Sequence, residues 1–239
     1  MHCRFKECTL SDCPNPGCTL SRIREETVIA RPPRPILSRD LIARTALALV
    51  DRYGADGASM RRVAQKLNVN PTSLYNHVPD RAAMVEDVRA LVSANIDSAP
   101  LRELPWEQGL TAWARSYRLA FSNHPRAVPL LMTTRASAPV LLAGYEDFVI
   151  AAEAVGWPRS EVLPLLTAFE SFILGSVLDM SGPSVVFDPT GQEDRFPRFT
   201  AAYATLQDDA EDPMATRAFE RGLAMLVASA RPDCPPRWA

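Results

Sequence analysis

Apolar side chains recur along this chain at intervals of three and four residues, the spacing that places them on one face of an α-helix. The first such stripe lies between Ser38, a suitable N-cap residue, and Gly54, a residue type that often ends helices. No segment shows the strict alternation that is typical of a half-buried strand. The pattern therefore predicts an all-α protein, with further helices near 59–67, 71–77, 80–96, 106–123, 126–133, 139–155, 160–181, 198–206 and 213–230.

The same pattern divides the chain into four parts. Residues 1–37 contain four of the five cysteines and a Pro-rich linker, and we expect them to form a flexible extension. Residues 38–84 hold three short helical stretches of the helix-turn-helix type. Residues 85–232 form a longer all-helical domain, and residues 233–239 form a Pro-containing tail.

The most informative segment runs from Ser59 to Val78. Ala64 is small and lets a second helix approach closely, and Asn68 tolerates the left-handed conformation of a tight turn. Asn70 is then a suitable cap for the next helix, with Pro71 at the first helical position. This order of residues predicts two short helices joined by a tight turn, with the second helix held against the first.

The exposed side of this unit carries hydroxyl, amide, phenol, imidazole and guanidinium groups but no acid. Such groups bind DNA phosphates and base edges, so the segment favours DNA binding. The alternative is a tight corner between two helices in an ordinary α-helical domain. The candidate DNA-binding residues are Arg61, Arg62, Asn70, Pro71, Thr72, Ser73, Tyr75, Asn76, His77 and Arg81.

Charge is distributed unevenly along the 239 residues, whose net charge is −2. Residues 31–96 contain ten basic and six acidic side chains, whereas residues 97–239 contain twelve basic and eighteen acidic ones. A basic segment joined to an acidic body suits a protein whose first part alone contacts a polyanion, although chance unevenness is the alternative. No run approaches the roughly 18 apolar residues of a membrane span, and we expect a cytoplasmic protein.

An enzyme is the first alternative function. The chain has three histidines and contains none of the common hydrolase, metalloprotease, Walker or dinucleotide-binding motifs. We therefore expect no catalytic site and no cofactor.

The second alternative keeps DNA binding but assigns sensing to the N-terminal cysteines. Cys3, Cys8, Cys13 and Cys18 lie five residues apart and could hold zinc or an iron–sulfur cluster, which would make the protein a metal or redox sensor. Against this, the segment has almost no hydrophobic residues to fold around an ion, so the simpler interpretation is a tail without metal. Cys234 has no neighbouring cysteine.

The helix-turn-helix segment resembles the DNA-binding domain of the TetR family of bacterial regulators. The resemblance rests on Arg61-Arg-Val-Ala-Gln-Lys-Leu-Asn-Val69 and Pro71-Thr-Ser-Leu-Tyr-Asn-His-Val78. Further along, Trp106-Glu-Gln, Ser122-Asn-His-Pro125, Thr133-Thr-Arg135, Leu174-Gly-Ser-Val-Leu178 and Phe219-Glu-Arg-Gly-Leu223 resemble the ligand-binding domain of the tetracycline repressors.

This resemblance implies a repressor that binds a palindromic operator as a homodimer and leaves it when a small effector binds. The helices near 160–181 and 213–230 would pack against the same helices of a second subunit. By position, Arg61 resembles the base-reading arginine of the family. Ser73, Tyr75, His77 and Arg81 would contact the DNA backbone, and Asn70, Pro71 and Asn76 would set sequence preference.

The resemblance also implies an effector pocket within each subunit. Trp113, Tyr117, Thr134 and Arg135 fall at drug-contacting positions of the tetracycline repressors. Leu131 replaces their metal-coordinating histidine, Trp113 their drug-binding asparagine and Asp97 another drug-binding histidine, so a magnesium–tetracycline complex is not the expected inducer. Bulky residues on the body helices favour a largely apolar effector, although core packing is the alternative for each. The candidate pocket residues are Asp97, Trp113, Tyr117, Leu131, Thr134, Arg135, Phe169 and Phe172.

Overall fold

The computed structural model describes residues 37–180, 182, 187–206 and 214–232, and these ranges contain eleven α-helices and no strand. The all-α prediction is confirmed. The helices are α1 (Arg39–Tyr53), α2 (Met60–Leu67), α3 (Pro71–Tyr75), α4 (Arg81–Ser93), α5 (Ala99–Glu103), α6 (Trp106–Ser122), α7 (Val128–Met132), α8 (Pro139–Ala154), α9 (Arg159–Asp179), α10 (Pro197–Tyr203) and α11 (Met214–Ser229).

Side-chain caps define the start of α1, α3 and α4, and the cap of α3 is described with the candidate site. The Ser38 hydroxyl accepts a hydrogen bond from the Leu41 N–H at 3.2 Å, as its position before the first apolar stripe predicts. The Asp80 carboxylate likewise accepts from the Ala83 N–H at 2.8 Å. Each cap satisfies one of the backbone donors that a helix leaves unpaired in its first turn.

Residues 38–84, which we call the head, fold around side chains from α1, α2, α3, the turn after α3 and the start of α4. Gly57 lies so close to α1 that a Cβ atom there would be 2.3 Å from the Leu49 carbonyl carbon, so only glycine fits this position. The fully buried members of the head core are Ile42, Ala46, Val50, Val63, Leu74, Val78 and Met84.

Helix α4 connects the head to the body, the name we use for residues 85–232. It packs extensively against α1, and the Arg39 guanidinium donates to the Asp87 carboxylate at 2.8 Å. Its other buried side chains, including Val88 and Val92, join the core of the body. A single hydrophobic cluster thus includes side chains from Ile42 in the head to Ala230 in the body. Because α4 packs within this cluster, a displacement of α4 changes the packing of both the head and the body.

Helix α6 lies in the centre of the body and packs against α4, α5, α9 and α11. Trp113 of α6 lies 5.2 Å from Phe148 and 6.2 Å from Phe169, measured between ring centroids. These rings are almost fully buried and bring α6, α8 and α9 together. Aromatic clusters of this kind supply a large part of the apolar area that a helical core buries.

The structure departs from the predicted helices at several short segments. Helix α5 was not predicted. It forms because Gly109 lets it lie against α6, where a Cβ atom would be 2.7 Å from the Pro100 carbonyl oxygen. The stretch predicted near 126–133 is a 3₁₀ turn (Pro125–Ala127) followed by α7. Helices α3 and α4 end two and three residues earlier than predicted, at Tyr75 and Ser93.

By length and composition, α9 is apolar enough to cross a membrane, with a mean hydropathy of 1.6. A single such helix is weak evidence, because a core helix of a soluble protein passes the same test. Val162, Leu166, Phe169, Ile173 and Val177 bury one side of α9 within the body. Its other side is exposed and is described below.

Candidate nucleic-acid interface and internal cavity

The turn between α2 and α3 has the geometry that its residues predict. Asn68 adopts the left-handed conformation, with φ 55° and ψ 47°, and its N–H donates to the Ala64 and Gln65 carbonyls. The Asn70 side chain accepts from the Thr72 N–H at 3.0 Å, and Pro71 occupies the first turn of α3. Helix α3 is therefore held against α2 by its turn as well as by buried Leu74.

The predicted DNA-binding side chains, which we call together the α3 face, are exposed with the exception of Ser73. Tyr75 is 53% exposed although it is a large aromatic residue, and Ser73 is half-buried. The sequence between Asp56 and Asp80 contains no acidic residue. The α3 face is thus free of negative charge along its length. Its exposed members are Arg61, Arg62, Asn70, Pro71, Thr72, Tyr75, Asn76, His77 and Arg81.

The arginines around the α3 face have different surroundings. The Arg62 guanidinium lies over the Tyr53 ring, 5.3 Å from its centroid. Arg81 donates from Nε to the Ala58 carbonyl at 2.7 Å, which anchors this side chain to the backbone. Lys66 is a further exposed cation of α2 that sequence reasoning did not select. Its position four residues after Arg62, on the same side of α2, is a signal that could have identified it.

A cavity of about 220 Å³ lies within the body, between α4, α6, α7, α8 and α9. Of the eight candidate pocket residues, Tyr117, Leu131 and Thr134 line it. A smaller cavity of about 20 Å³ lies beside it and shares Tyr117 and Tyr145. Trp113 lines this smaller cavity.

The structure does not bring the other four candidate pocket residues to the main cavity. Phe169 is fully buried in the aromatic core, and Phe172 stacks on Phe219 with a centroid distance of 5.4 Å. The Asp97 side chain is exposed and accepts from the Ala99 N–H. The Arg135 side chain is exposed as well. These four side chains are packed in the core or exposed, and none of them lines the main cavity.

Polar groups in the cavity centre on Glu170, which sequence reasoning missed. Its Oε1 accepts from the Tyr117 hydroxyl at 2.8 Å and from the Tyr145 hydroxyl at 2.5 Å. Burial and the neighbouring Glu170 charge raise the pKa of both phenols. Both tyrosines therefore remain protonated and act as donors to the carboxylate. A glutamate beside the apolar stripe of a helix is the sequence signal that could have identified Glu170.

Arg89 is the second polar group of the cavity that was not predicted, and it is 5% exposed. Its Nε donates to Glu86 at 2.8 Å, and its Nη2 donates to the Leu131 and Thr134 carbonyls at 2.9 and 3.0 Å. The other oxygen of Glu86 accepts from the N–H of Ser137 at 2.7 Å. Two neighbouring side chains of α4 thus hold the segment between α7 and α8, which forms one wall of the cavity.

The cysteine tail, to which the alternative of a metal or redox sensor refers, lies outside the described residues. Within the described ranges, no group of three His, Cys, Asp or Glu side chains is placed to bind a metal ion.

Known protein families match both parts of the chain. The family described as "Bacterial regulatory proteins, tetR family" matches residues 42–88. The family described as "Tetracyclin repressor-like, C-terminal domain" matches residues 99–229, more than half of the chain.

Individual relatives agree with these families. An HTH-type transcriptional regulator of Saccharopolyspora erythraea is 31% identical over 145 residues, which are 60% of this chain and 61% of that protein, so the chain matches less than two thirds of its length. The class C tetracycline repressor of Escherichia coli is 26% identical, covering 80% of this chain and 89% of the repressor.

A solved structure of the Streptomyces coelicolor TetR family protein ActR, in complex with (S)-DNPA, is similar to this chain. The TM-score is 0.66 at 25% identity, covering 81% of this chain and 96% of ActR. The family resemblance found in the sequence is thereby confirmed. The chain belongs to the TetR family of bacterial transcriptional regulators, in which a helix-turn-helix DNA-binding domain precedes a ligand-binding C-terminal domain.

Proposed function

We propose that this protein is a cytoplasmic homodimeric repressor that binds a palindromic operator through the α3 face and releases it when a small effector enters the body cavity. The observation that carries the proposal is the exposed, acid-free α3 face presented by a rigid turn. A largely exposed tyrosine beside hydroxyl, amide and guanidinium groups offers the hydrogen-bond donors that phosphate oxygens and base edges accept from, so duplex DNA is a suitable partner.

The chemistry of the α3 face divides its residues between two roles. Asn76 and Arg61 carry the groups that pair bidentately with adenine or guanine edges in the major groove. Thr72, Tyr75, His77 and Arg81 donate to phosphate oxygens and fix the position of α3 on the duplex. Arg81 suits the second role, because its hydrogen bond to the Ala58 carbonyl fixes the position of the guanidinium relative to the head.

Dimerisation is supported by the exposed sides of α9 and α11. Leu163 and Met225 are 60% and 67% exposed, which is unusual for large apolar side chains on two adjacent helices. A Cβ atom at Gly175 would meet nothing within 4 Å among the described residues, so none of them requires glycine there. Close approach of a second helix is a reason for glycine at this position. We propose that α9 and α11 form a four-helix bundle with those of a second subunit.

The effector is proposed to bind in the cavity lined by Tyr117, Leu131 and Thr134. Solved relatives include the S. coelicolor protein ActR in complex with actinorhodin and a TetR variant of Acinetobacter baumannii in complex with minocycline. In this chain Leu131 is 2% exposed and offers no metal ligand. We therefore propose an effector that binds without a magnesium ion.

The decisive experiment is selection of bound duplexes from a random double-stranded library, with the oligomeric state measured by light scattering. We expect a palindrome whose half-sites lie about 34 Å apart, one turn of B-DNA, as two recognition helices of a dimer require. A monomeric protein that enriches no duplex at moderate salt would refute the proposal.

A further inference from the structure

Helix α4 carries two buried polar side chains whose hydrogen-bonding capacity is incompletely used by the residues that the structure describes. The bonds of Arg89 use Nε and Nη2, and none of them uses Nη1. Ser93, one turn further along α4, is 2% exposed and its hydroxyl has no hydrogen-bond partner. A buried polar group without a partner, as Ser93 Oγ is, is rare and costly and needs an explanation.

Both side chains face the cavities described above. Arg89 lines the larger one and Ser93 the smaller one, and Tyr117 and Tyr145 form the wall that the two share. Arg89 and Ser93 therefore offer hydrogen-bond donors beside the two cavities to the acceptor atoms of a bound molecule.

Glu170, on the α9 side of the larger cavity, offers a hydrogen-bond acceptor instead of a donor. Both of its hydrogen bonds in the described structure are accepted by Oε1, which leaves Oε2 able to accept from a ligand hydroxyl or amine. Arg89 is already paired with Glu86, so Glu170 adds one negative charge that no ion pair of the described residues balances. A neutral ligand suits this balance better than an anionic one.

We propose that the effector is a neutral two-ring aromatic compound with a ring ketone that accepts from Arg89 Nη1 and a hydroxyl that donates to Glu170. This inference rests on the proposed function, because it names the ligand class of the same cavity. The volume of about 220 Å³ lies below the roughly 300–1,000 Å³ of most ligand clefts, which limits the ligand to a small bicyclic frame. Tyr117, Phe121 and Leu174 supply the apolar walls for its rings.

Through its contact with Arg89, the effector also binds α4, the helix that connects the head to the body. Asp87, two residues before Arg89, binds Arg39 of α1, and Nη2 of Arg89 binds the cavity wall. A ketone bonded to Nη1 therefore acts on the same guanidinium whose Nη2 holds the cavity wall.

The test uses four bicyclic compounds that share one frame: tetralin, 1-tetralone, 5,6,7,8-tetrahydro-2-naphthol and 6-hydroxy-1-tetralone. They carry neither group, the ketone, the hydroxyl and both groups. Calorimetric titration of the full chain measures each Kd without DNA, so the result does not depend on whether an operator has been found. We expect the ketone to tighten binding about tenfold and the hydroxyl severalfold, as single hydrogen bonds to charged groups do.

Two variants assign these gains to residues. Arg89→Met should abolish the gain from the ketone and keep that from the hydroxyl, and Glu170→Met should do the reverse. Arg198→Met and Glu146→Met remove exposed charges elsewhere and should change neither gain. The proposal is overturned if the wild-type chain binds all four compounds within twofold of one another, binds none of them, or if folded Arg89→Met retains the full gain from the ketone.

Discussion

The His124 ring of the body donates from Nδ1 to the Asp51 carboxylate near the end of α1, with 3.0 Å between Nδ1 and Oδ2. A carboxylate only accepts, so this ring nitrogen carries the hydrogen. Two residues further on, Arg126 donates to the Arg52 carbonyl at 2.6 Å. The 3₁₀ turn after α6 therefore holds the same end of α1 at two points, in addition to the connection through α4.

We predict that Asp51→Ala and His124→Ala each lower the free energy of unfolding by about 0.5–1 kcal/mol. The pair is only partly buried, which keeps its contribution in the range of surface ion pairs. The double variant should lose little more than either single variant, because both remove the same contact. Urea unfolding at neutral pH measures the cycle, and strictly additive losses would show that the two residues act separately.

On the α3 face, Arg61→Ala and Tyr75→Phe should each weaken binding to a selected duplex, by about 1–3 kcal/mol for the arginine and about 1 kcal/mol for the phenol hydroxyl. Arg198→Ala, which removes an exposed arginine of the body, is the matched control and should bind normally. Fluorescence anisotropy at fixed salt gives the affinities. Unchanged binding in both α3-face variants would exclude the docking proposed above.

Loss of the Asn70 cap should destabilise the head without changing its other exposed side chains. Asn70→Ala removes the acceptor for the Thr72 N–H, and we expect a loss of about 1 kcal/mol. Asn70→Asp keeps an acceptor at this position and should retain most of the stability. Thermal unfolding followed by circular dichroism compares the two, and equal melting temperatures would mean that the cap contributes nothing.

Glu86 should make stability depend on pH in the acidic range. Burial raises the pKa of this carboxyl, but the hydrogen bonds from Arg89 and Ser137 outweigh burial and hold it below its usual 4.5. A depressed folded-state pKa stabilises the protein above the unfolded value, and this stabilisation is lost as the pH falls through the lower folded value.

The stability difference between wild type and Glu86→Gln should therefore be about 1–2 kcal/mol at neutral pH and shrink below pH 4.5. Denaturant unfolding from pH 7 down to pH 3.5 measures this difference. A constant difference across that range would contradict the assignment of these hydrogen bonds to an ionised Glu86.

The exposed sides of α9 and α11 should tolerate no charge if they form the dimer. Met225→Arg places a cation in an apolar interface, and we expect a monomeric protein that binds the selected duplex at least tenfold more weakly. Ile150→Arg introduces the same charge at another exposed apolar position, on α8, and should remain dimeric. Light scattering gives the molar mass, and a dimeric Met225→Arg would place the interface elsewhere.

The sequence alone determined the helix-turn-helix and the surface it presents. Its caps, its left-handed Asn68 and the outward direction of Tyr75 and Asn76 depend on residues within a few positions of one another, and such short-range relations can be read from order and spacing. The same holds for the long helices of the body, whose apolar stripes span several turns. Helix α5 could not be read in this way, because it depends on the close approach to Gly109 from another helix.

Only the tertiary structure decided which side chains meet in the cavity. Arg89, Tyr145 and Glu170 come from α4, α8 and α9, and no spacing in the sequence brings them together. The resemblance to the tetracycline repressors predicted that Asp97 and Arg135 line the pocket. In the structure both side chains are exposed. A cavity is the space that packed helices leave between them. Its lining follows from the angles and distances between helices, whereas each helix follows from its own neighbours.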